Sequence, residues 1–458
     1  MSLYNKQREI SMPKKTISIF FTILLATVCL FTPLTASAYE VTGFEVNAKA
    51  GMLASIDTGE VLYSKNIDEK VYPASITKIM TVTLILESPL YNGDEKIAMD
   101  SATLKTVSGT GSVVSGLKEG EEISQLDLAY LILMSSAGDC AYLAAAHYGG
   151  SVEGFVEQMN AKAQELGLTG THYGNPVGLH DNQTYTTVKD VYTLALYALK
   201  NDTFKTICES ARHTIPATNF SPQRTISTTN FLQDNTTNYY YQYAKGVKTG
   251  YTDEAGRCLV STASYNGYNY ICVLMGCPAN AGKRYEFSDS ASLYRWAFNN
   301  FSYKEVADTE NPICEMPVNL SLETDFVPLY VEKGFISVLP NEADKSTIVI
   351  EQHLKGESAD APIKKGDVLG TADIIYAEKV IGTVNLVAGN DVKASKLLIA
   401  GRAIKKVFTS IYMKLLIALV IIAVLIFIAL VIKMNINRMR KRRVKYIPYG
   451  EGKGRRQK

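Results

Sequence analysis

The chain has 458 residues, enough for two or three domains, and is 47% apolar, enough to bury substantial cores. Its net charge of +2 hides an asymmetry: residues 1–38 carry four Lys/Arg and one Glu, the tail from Lys433 carries eleven Lys/Arg and one Glu, and the body between holds 32 basic and 43 acidic residues. An acidic body of this kind speaks against a nucleic-acid-binding role.

At the N-terminus, Lys14-Lys15, an apolar run over 17–31 and Ala36-Ser37-Ala38 read as a secretory signal peptide over residues 1–38, cleaved after Ala38. An uncleaved anchor is the alternative, but the run is short and Pro33 breaks it. Residues 51–65 read as strand, turn, strand about Asp57-Thr58-Gly59-Glu60. Helices are expected over 75–86, 126–134, resuming after a break at 135–139 through 146, then 152–166 and 188–200. Residues 245–249, 258–265 and 268–276 are strand-like, the last two joined by an Asn266-Gly267 hairpin turn, and a helix over 282–299 follows. Strands at both ends of a helical middle imply an α+β domain over 39–310, an antiparallel sheet flanked by helices.

Beyond it, short β-rich runs without helical period imply a small all-β domain over 311–392, and residues 393–414 a linker. Residues 415–432 are 18 apolar residues without a charge, close to the shortest membrane span and apolar on every face. The basic run at 438–445, in a tail covering 433–458, points to a cytoplasmic C-terminus and an external body. The last ten or so residues read as disordered, and no internal repeat is present.

Of seven cysteines, Cys29 leaves with the leader, and the remaining spacing matches no zinc pattern. In the expected hairpin register Cys258 and Cys277 share a face and Cys272 points the other way. A disulfide is possible there, but buried thiols are the favoured reading.

Three constellations could carry chemistry. Ser75 and Lys78, at i and i+3 on a helix, share one face. The lysine could serve as the base that a serine nucleophile needs, provided that burial or a nearby cation keeps it neutral. At a helix N-terminus the Ser75 N–H would also be free for an oxyanion. The pattern alone is ambiguous: it fits a serine cap before a surface lysine, and Ser11/Lys14 in the leader matches it too. Lys248-Thr249-Gly250, at a strand end, suits a substrate carboxylate, and Lys248 could supply the cation that keeps Lys78 neutral. By itself it is also a common surface turn. Ser136, in the helix break, could relay a proton in a cleft, or belong to a polar loop between buried helices.

Together and in this order, "PASITKIMT", the serine in "MSSAGDCAYLAAA" and "KTGYTDEAGRCLVSTA" resemble the penicillin-binding protein and serine β-lactamase superfamily. More narrowly the chain resembles the low-molecular-weight D-alanyl-D-alanine carboxypeptidases, from about residue 46 to 392. "ASIDTGEVLYSKN", "GLTGTHYGNPVGLHD" and "YTTVKDV" match as well, and "APIKKGDVLG" with "GTVNLVAG" resembles the family's all-β pedestal. The resemblance implies an exported serine peptidase without cofactor, acting on peptidoglycan pentapeptides and acylated by β-lactams. It implies Ser75 as nucleophile, Lys78 as base, Ser136 as proton relay, and Lys248, Thr249 and Gly250 at the substrate carboxylate. It further implies an oxyanion hole from the N–H groups of Ser75 and Tyr251.

One position departs from the pattern. The family's second motif is usually Ser-x-Asn, its amide touching substrate and lysine, and Gly138 stands there instead. Ser64-Lys65-Asn66 and Ser264-Tyr265-Asn266 match the letters but fall in strands. The five histidines offer no Ser-His-Asp arrangement, and no metal site is indicated. A β-lactamase is disfavoured because no Glu-x-x-Leu-Asn segment lies between Ser136 and Lys248. A transpeptidase, or a catalytically weak homologue serving as a wall-binding or scaffolding module, remains as an alternative.

Overall fold

A computed structural model describes Tyr39, residues 43–279 and residues 282–443. The expected signal peptide and the end of the basic tail lie outside the described residues. The chain divides into two compact units, one comprising residues up to 304 with 337–343, the other 305–336 with the rest.

The first unit is built on a five-stranded antiparallel sheet. Its order is Val61–Lys65, Ala50–Ser55, Tyr268–Cys277, Gly256–Tyr265 and Ala244–Thr252, the last at one edge. The expected N-terminal hairpin thus joins the C-terminal strands across the whole unit. The sheet is buried on both faces, with successive residues alternating between two cores. Met52, Ala54, Val260, Ile271 and Val273 face a helical core formed mainly by Lys78–Glu87, Gln125–Met134, Gly138–Gly149 and Val188–Ala198. Leu53, Leu259, Tyr270 and Leu274 face the helix Tyr285–Asn300.

Helix starts follow the local chemistry that the sequence offers. Ser124, Ser151 and Thr187 each accept a backbone N–H three residues on, fixing the entries to three helices. The expected helix at 75 begins differently. Residues Ala74–Thr77 form a 3-10 turn, and the α-helix proper starts at Lys78. Helices at Ser101–Val107 and Asp202–Glu209, the latter burying Phe204, Ile207 and Cys208 at helical spacing, and a small hairpin of Arg212–Ile215 with Arg224–Ser227, are not among the elements expected from the sequence.

The hairpin register corrects one expectation. Pairing follows Tyr265↔Tyr268 as far as Leu259↔Leu274, then shifts to Arg257↔Cys277 through a bulge. The extra residue turns Cys277 onto the face of Cys272, against the helix Tyr285–Asn300, while Cys258 faces the other core. Cys140, Cys208, Cys258, Cys272 and Cys277 are buried free thiols, and Cys314 is a half-buried one.

The second unit carries a six-stranded sheet in the order Ile348–Leu354, Val368–Tyr376, Lys379–Ala388, Phe326–Val331, Cys314–Asn319 and Ala359–Asp360. Its core is Val327, Leu329, Val331, Ala372, Ile374 and Leu386. Two helices follow. Lys396–Thr409, capped by Ser395, occupies the stretch expected as linker, and Ile411–Arg443 contains an exposed apolar segment long enough to cross a membrane.

Candidate active site

Pro73 precedes the 3-10 turn, and Ala74 has a φ of +46°, in the left-handed region that a residue with a Cβ rarely occupies. That twist ends the extended approach and starts the turn with Ser75 on its cleft side. In a 3-10 turn residues i and i+3 eclipse, which sets Lys78 beside Ser75. Lys78 Nζ donates to Ser75 Oγ at 2.9 Å and to the Val177 carbonyl at 2.8 Å. Lys78 is 2% exposed. Burial lowers its pKa from the ordinary 10.5 to about 7, against the opposing pull of the Asp139 carboxylate.

The Val177 carbonyl is itself built. Asn175 Oδ1 accepts the N–H groups of Val177, Gly178 and Leu179 at 3.2, 2.8 and 3.1 Å, and Asn175 Nδ2 donates to Leu179 O and Asp181 Oδ2. Thr81 Oγ1 donates to Pro176 O at 2.7 Å, pinning the loop to the helix of Lys78. Gly178 has a φ of +80°, and a Cβ there would collide with the Ala74 carbonyl. The segment "GNPVGLHD" is therefore the bracket that holds the lysine's amine on the serine.

Opposite lies the edge strand Ala244–Thr252. A Cβ on Gly250 would stand 3.1 Å from Pro73 O and 3.2 Å from Ile76 N, so the glycine lets the strand lie directly against the Ser75 turn. Lys248 is 1% exposed and donates to Thr249 O at 3.0 Å. Its pKa is held well below the lysine range by burial and by the charge of Lys78. The repulsion is mutual, so a proton on one amine disfavours a proton on the other. Thr249 and Thr229 share a hydroxyl hydrogen bond of 2.6 Å. Tyr251 is exposed, its hydroxyl donating to Asp253 Oδ1 at 2.6 Å.

Ser75, Lys78 and Tyr251 line one open cleft of about 510 Å³, together with Thr110–Val113, Val177–His180 and Thr252–Glu254. Lys248, Thr249 and Gly250 lie behind that wall, on the strand that carries Tyr251. Ser136 sits in the break between the helices Gln125–Met134 and Gly138–Gly149, 7% exposed, with a φ of +62°. Its hydroxyl makes no hydrogen bond among the described residues.

Three features of the site escaped the sequence reading. The Val177 carbonyl has no residue-type signature, so only its flanking turn residues could have signalled it. Asp139, fully buried, accepts Ser115 N at 2.9 Å and Ser115 Oγ at 2.6 Å, tying the loop over residues 110–115 to the helix Gly138–Gly149. That loop carries Ser112 and Val113 into the cleft, although nothing in its composition marks it as functional.

Residues 35–279 match the family described as D-alanyl-D-alanine carboxypeptidase, and residues 301–394 match the C-terminal domain of penicillin-binding protein 5. The chain is 29% identical to the D-alanyl-D-alanine carboxypeptidase DacF of Bacillus subtilis, over 76% of this chain and 86% of the relative. It is 32% identical to DacC of Escherichia coli, over 75% and 84%. Among solved structures it is similar to penicillin-binding protein 5 of Haemophilus influenzae, with a TM-score of 0.62 at 26% identity, covering 77% of this chain and all of that one. The Streptomyces K15 DD-transpeptidase matches 57% of this chain with a TM-score of 0.53 at 29% identity.

Proposed function

The chain belongs to the D-alanyl-D-alanine carboxypeptidase family of penicillin-binding serine peptidases, and from that premise we propose that Ser75 is its nucleophile and Lys78 its general base. The observation that carries the assignment is the Lys78 amine, buried, 2.9 Å from Ser75 Oγ, its pKa lowered by burial to about 7. Neutral, that amine accepts the Ser75 proton as Oγ attacks the carbonyl of the penultimate D-Ala. The new bond is Oγ–C, and the bond to the terminal D-Ala nitrogen breaks. The proton passes to the departing amine, with Ser136 as the relay. Water then attacks the acyl carbonyl, Lys78 taking its proton and returning it to Ser75 Oγ as the C–Oγ bond breaks, and the shortened peptide leaves.

Lys248 and Thr249 hold the terminal carboxylate in this reading. A carboxylate at that strand would favour the charged form of Lys248, whose proton in turn keeps Lys78 neutral. The N–H groups of Ser75 and Tyr251 form the oxyanion site, supported by the close approach at Gly250. β-Lactams acylate Ser75 through the same geometry.

The body is exported by a leader over residues 1–38. The helix Ile411–Arg443 anchors it, with the basic run on the cytoplasmic side. Incubation with a fluorescent penicillin, followed by peptide mapping, tests the nucleophile. Label on the peptide containing Ser75, and D-Ala released from a pentapeptide, are the expected results. Transfer of the acyl group to an added amine in place of hydrolysis would make the enzyme a transpeptidase. No label on folded protein would leave a wall-binding module.

A further inference from the structure

Gly138 opens the helix behind the cleft and offers no side chain to it. Its side-chain direction is already filled. A Cβ on Gly138 would collide with Ser112 Oγ and stand 3.1 Å from Ser112 Cβ and 3.3 Å from the Val113 carbonyl. The Gly138 N–H is also committed, donating to Val113 O at 2.7 Å. The polar capacity of position 138 has thus passed to the loop that lies over it.

That loop is held firmly. Asp139, the next residue along the helix, grips Ser115 through its N–H and its hydroxyl, and the Gly138–Val113 bond clamps the middle. Its hydroxyls are not equivalent. Thr110 Oγ1 donates to Val107 O at 2.8 Å and also accepts Ser112 N at 3.3 Å. Ser115 Oγ is spent on Asp139. Ser112 Oγ has no hydrogen-bond partner among the described residues, is half-buried, and lines the cleft with Ser75 and Lys78. A peptide entering the cleft buries amide groups on either side of its scissile bond, and each needs a partner.

We propose that Ser112 is a substrate-contacting residue: its hydroxyl, seated where a side chain at position 138 would lie, hydrogen-bonds a backbone amide group of the peptide or the exocyclic amide of a β-lactam. The proposal rests on the assignment of Ser75 as nucleophile. It makes residues 112 and 138 a coupled pair, because a large side chain at 138 and the Ser112 hydroxyl compete for one space.

The test is a double-mutant cycle in the full-length protein. Ser112→Ala, Ser112→Gly, Gly138→Asn and the double variant Ser112→Gly/Gly138→Asn are assayed for the rate of acylation by a fluorescent penicillin, for kcat and KM of D-Ala release, and for melting midpoint. Ser112→Ala is expected to slow acylation about tenfold, the loss of one hydrogen bond, with its melting midpoint unchanged. Gly138→Asn alone is expected to lose more than tenfold. In the double variant, where the space is open and an amide replaces the hydroxyl, acylation recovers to within a few-fold of the parent. Equal acylation and turnover by Ser112→Ala and the parent would overturn the proposal. So would a Gly138→Asn loss that is the same with serine or glycine at 112. Absence of acylation in the parent itself would instead overturn the assignment of Ser75.

Discussion

Burying an amine as completely as Lys78 is costs stability, and that cost is tied to its reactivity. Unfolded, Lys78 titrates near 10.5; folded, burial brings it down to about 7. Between these values the unfolded chain holds a proton that the folded chain lacks, so stability from this group rises with pH across the window. The full penalty is present below about pH 7. Lys78→Met should therefore raise the free energy of unfolding at pH 7, by on the order of 1–3 kcal/mol, and the gain should vanish near pH 10.5. The same variant should lower acylation by about 10²–10⁴-fold, the usual worth of a general base. Calorimetry and labelling on one preparation check both. A variant that loses activity and also stability would mean that Lys78 is held mainly for structure. The Ser75–Lys78 pairing was readable from four letters only because Lys248-Thr249-Gly250 and a broken helix followed. Its geometry was not readable, because the contact that fixes the amine is the carbonyl of Val177, and any residue type could supply it.

Elements meet at this site through absent side chains. Gly250 lets the edge strand touch the nucleophile's turn, and Gly178 lets the bracket loop pass under Ala74. Gly178→Ala places a Cβ against the Ala74 carbonyl at a φ that disfavours it, and should cost about 3 kcal/mol or more and abolish labelling. Gly250→Ala is milder, at 3.1–3.2 Å from the turn. It should leave the free energy of unfolding within about 1 kcal/mol of the parent's yet slow acylation about tenfold or more, since it displaces the strand from the reacting serine. Equal losses in stability and rate for both variants would argue against this distinction. Most helices and the Asn266-Gly267 hairpin were legible from periodicity and turn residues. The bulge near Arg257 was not, because register beyond a hairpin is set by packing on both faces and by Gly276, at φ +70°, rather than by the turn. It moved Cys277 to the opposite face from the one that the alternation implied.

At the scale of the whole molecule, an acidic body and two basic ends were the first signs of organisation. The change of texture after residue 312 announced the all-β unit, although the chain divides at 304. The linker reading failed to anticipate the helix Lys396–Thr409. Its exposed Leu397, Ile404 and Phe408 recur at helical spacing among Lys396, Arg402, Lys405 and Lys406, a period that the linker reading passed over. With the apolar helix that follows, this end should fix the protein in a bilayer. Full-length protein should stay with the membrane in high salt and come off only in detergent, whereas a chain ending at Lys393 should be soluble and label at the parent's rate. Release of the full chain by salt alone would remove the anchor from this account.

The most direct measurement is the pH dependence of the acylation rate at Ser75 under limiting penicillin. If neutral Lys78 is the base, the rate should fall about tenfold for each pH unit below about 7 and level off above it, with label confined to the Ser75 peptide. A rate that stays flat from about pH 5 to pH 9, or label on any other residue, would contradict it.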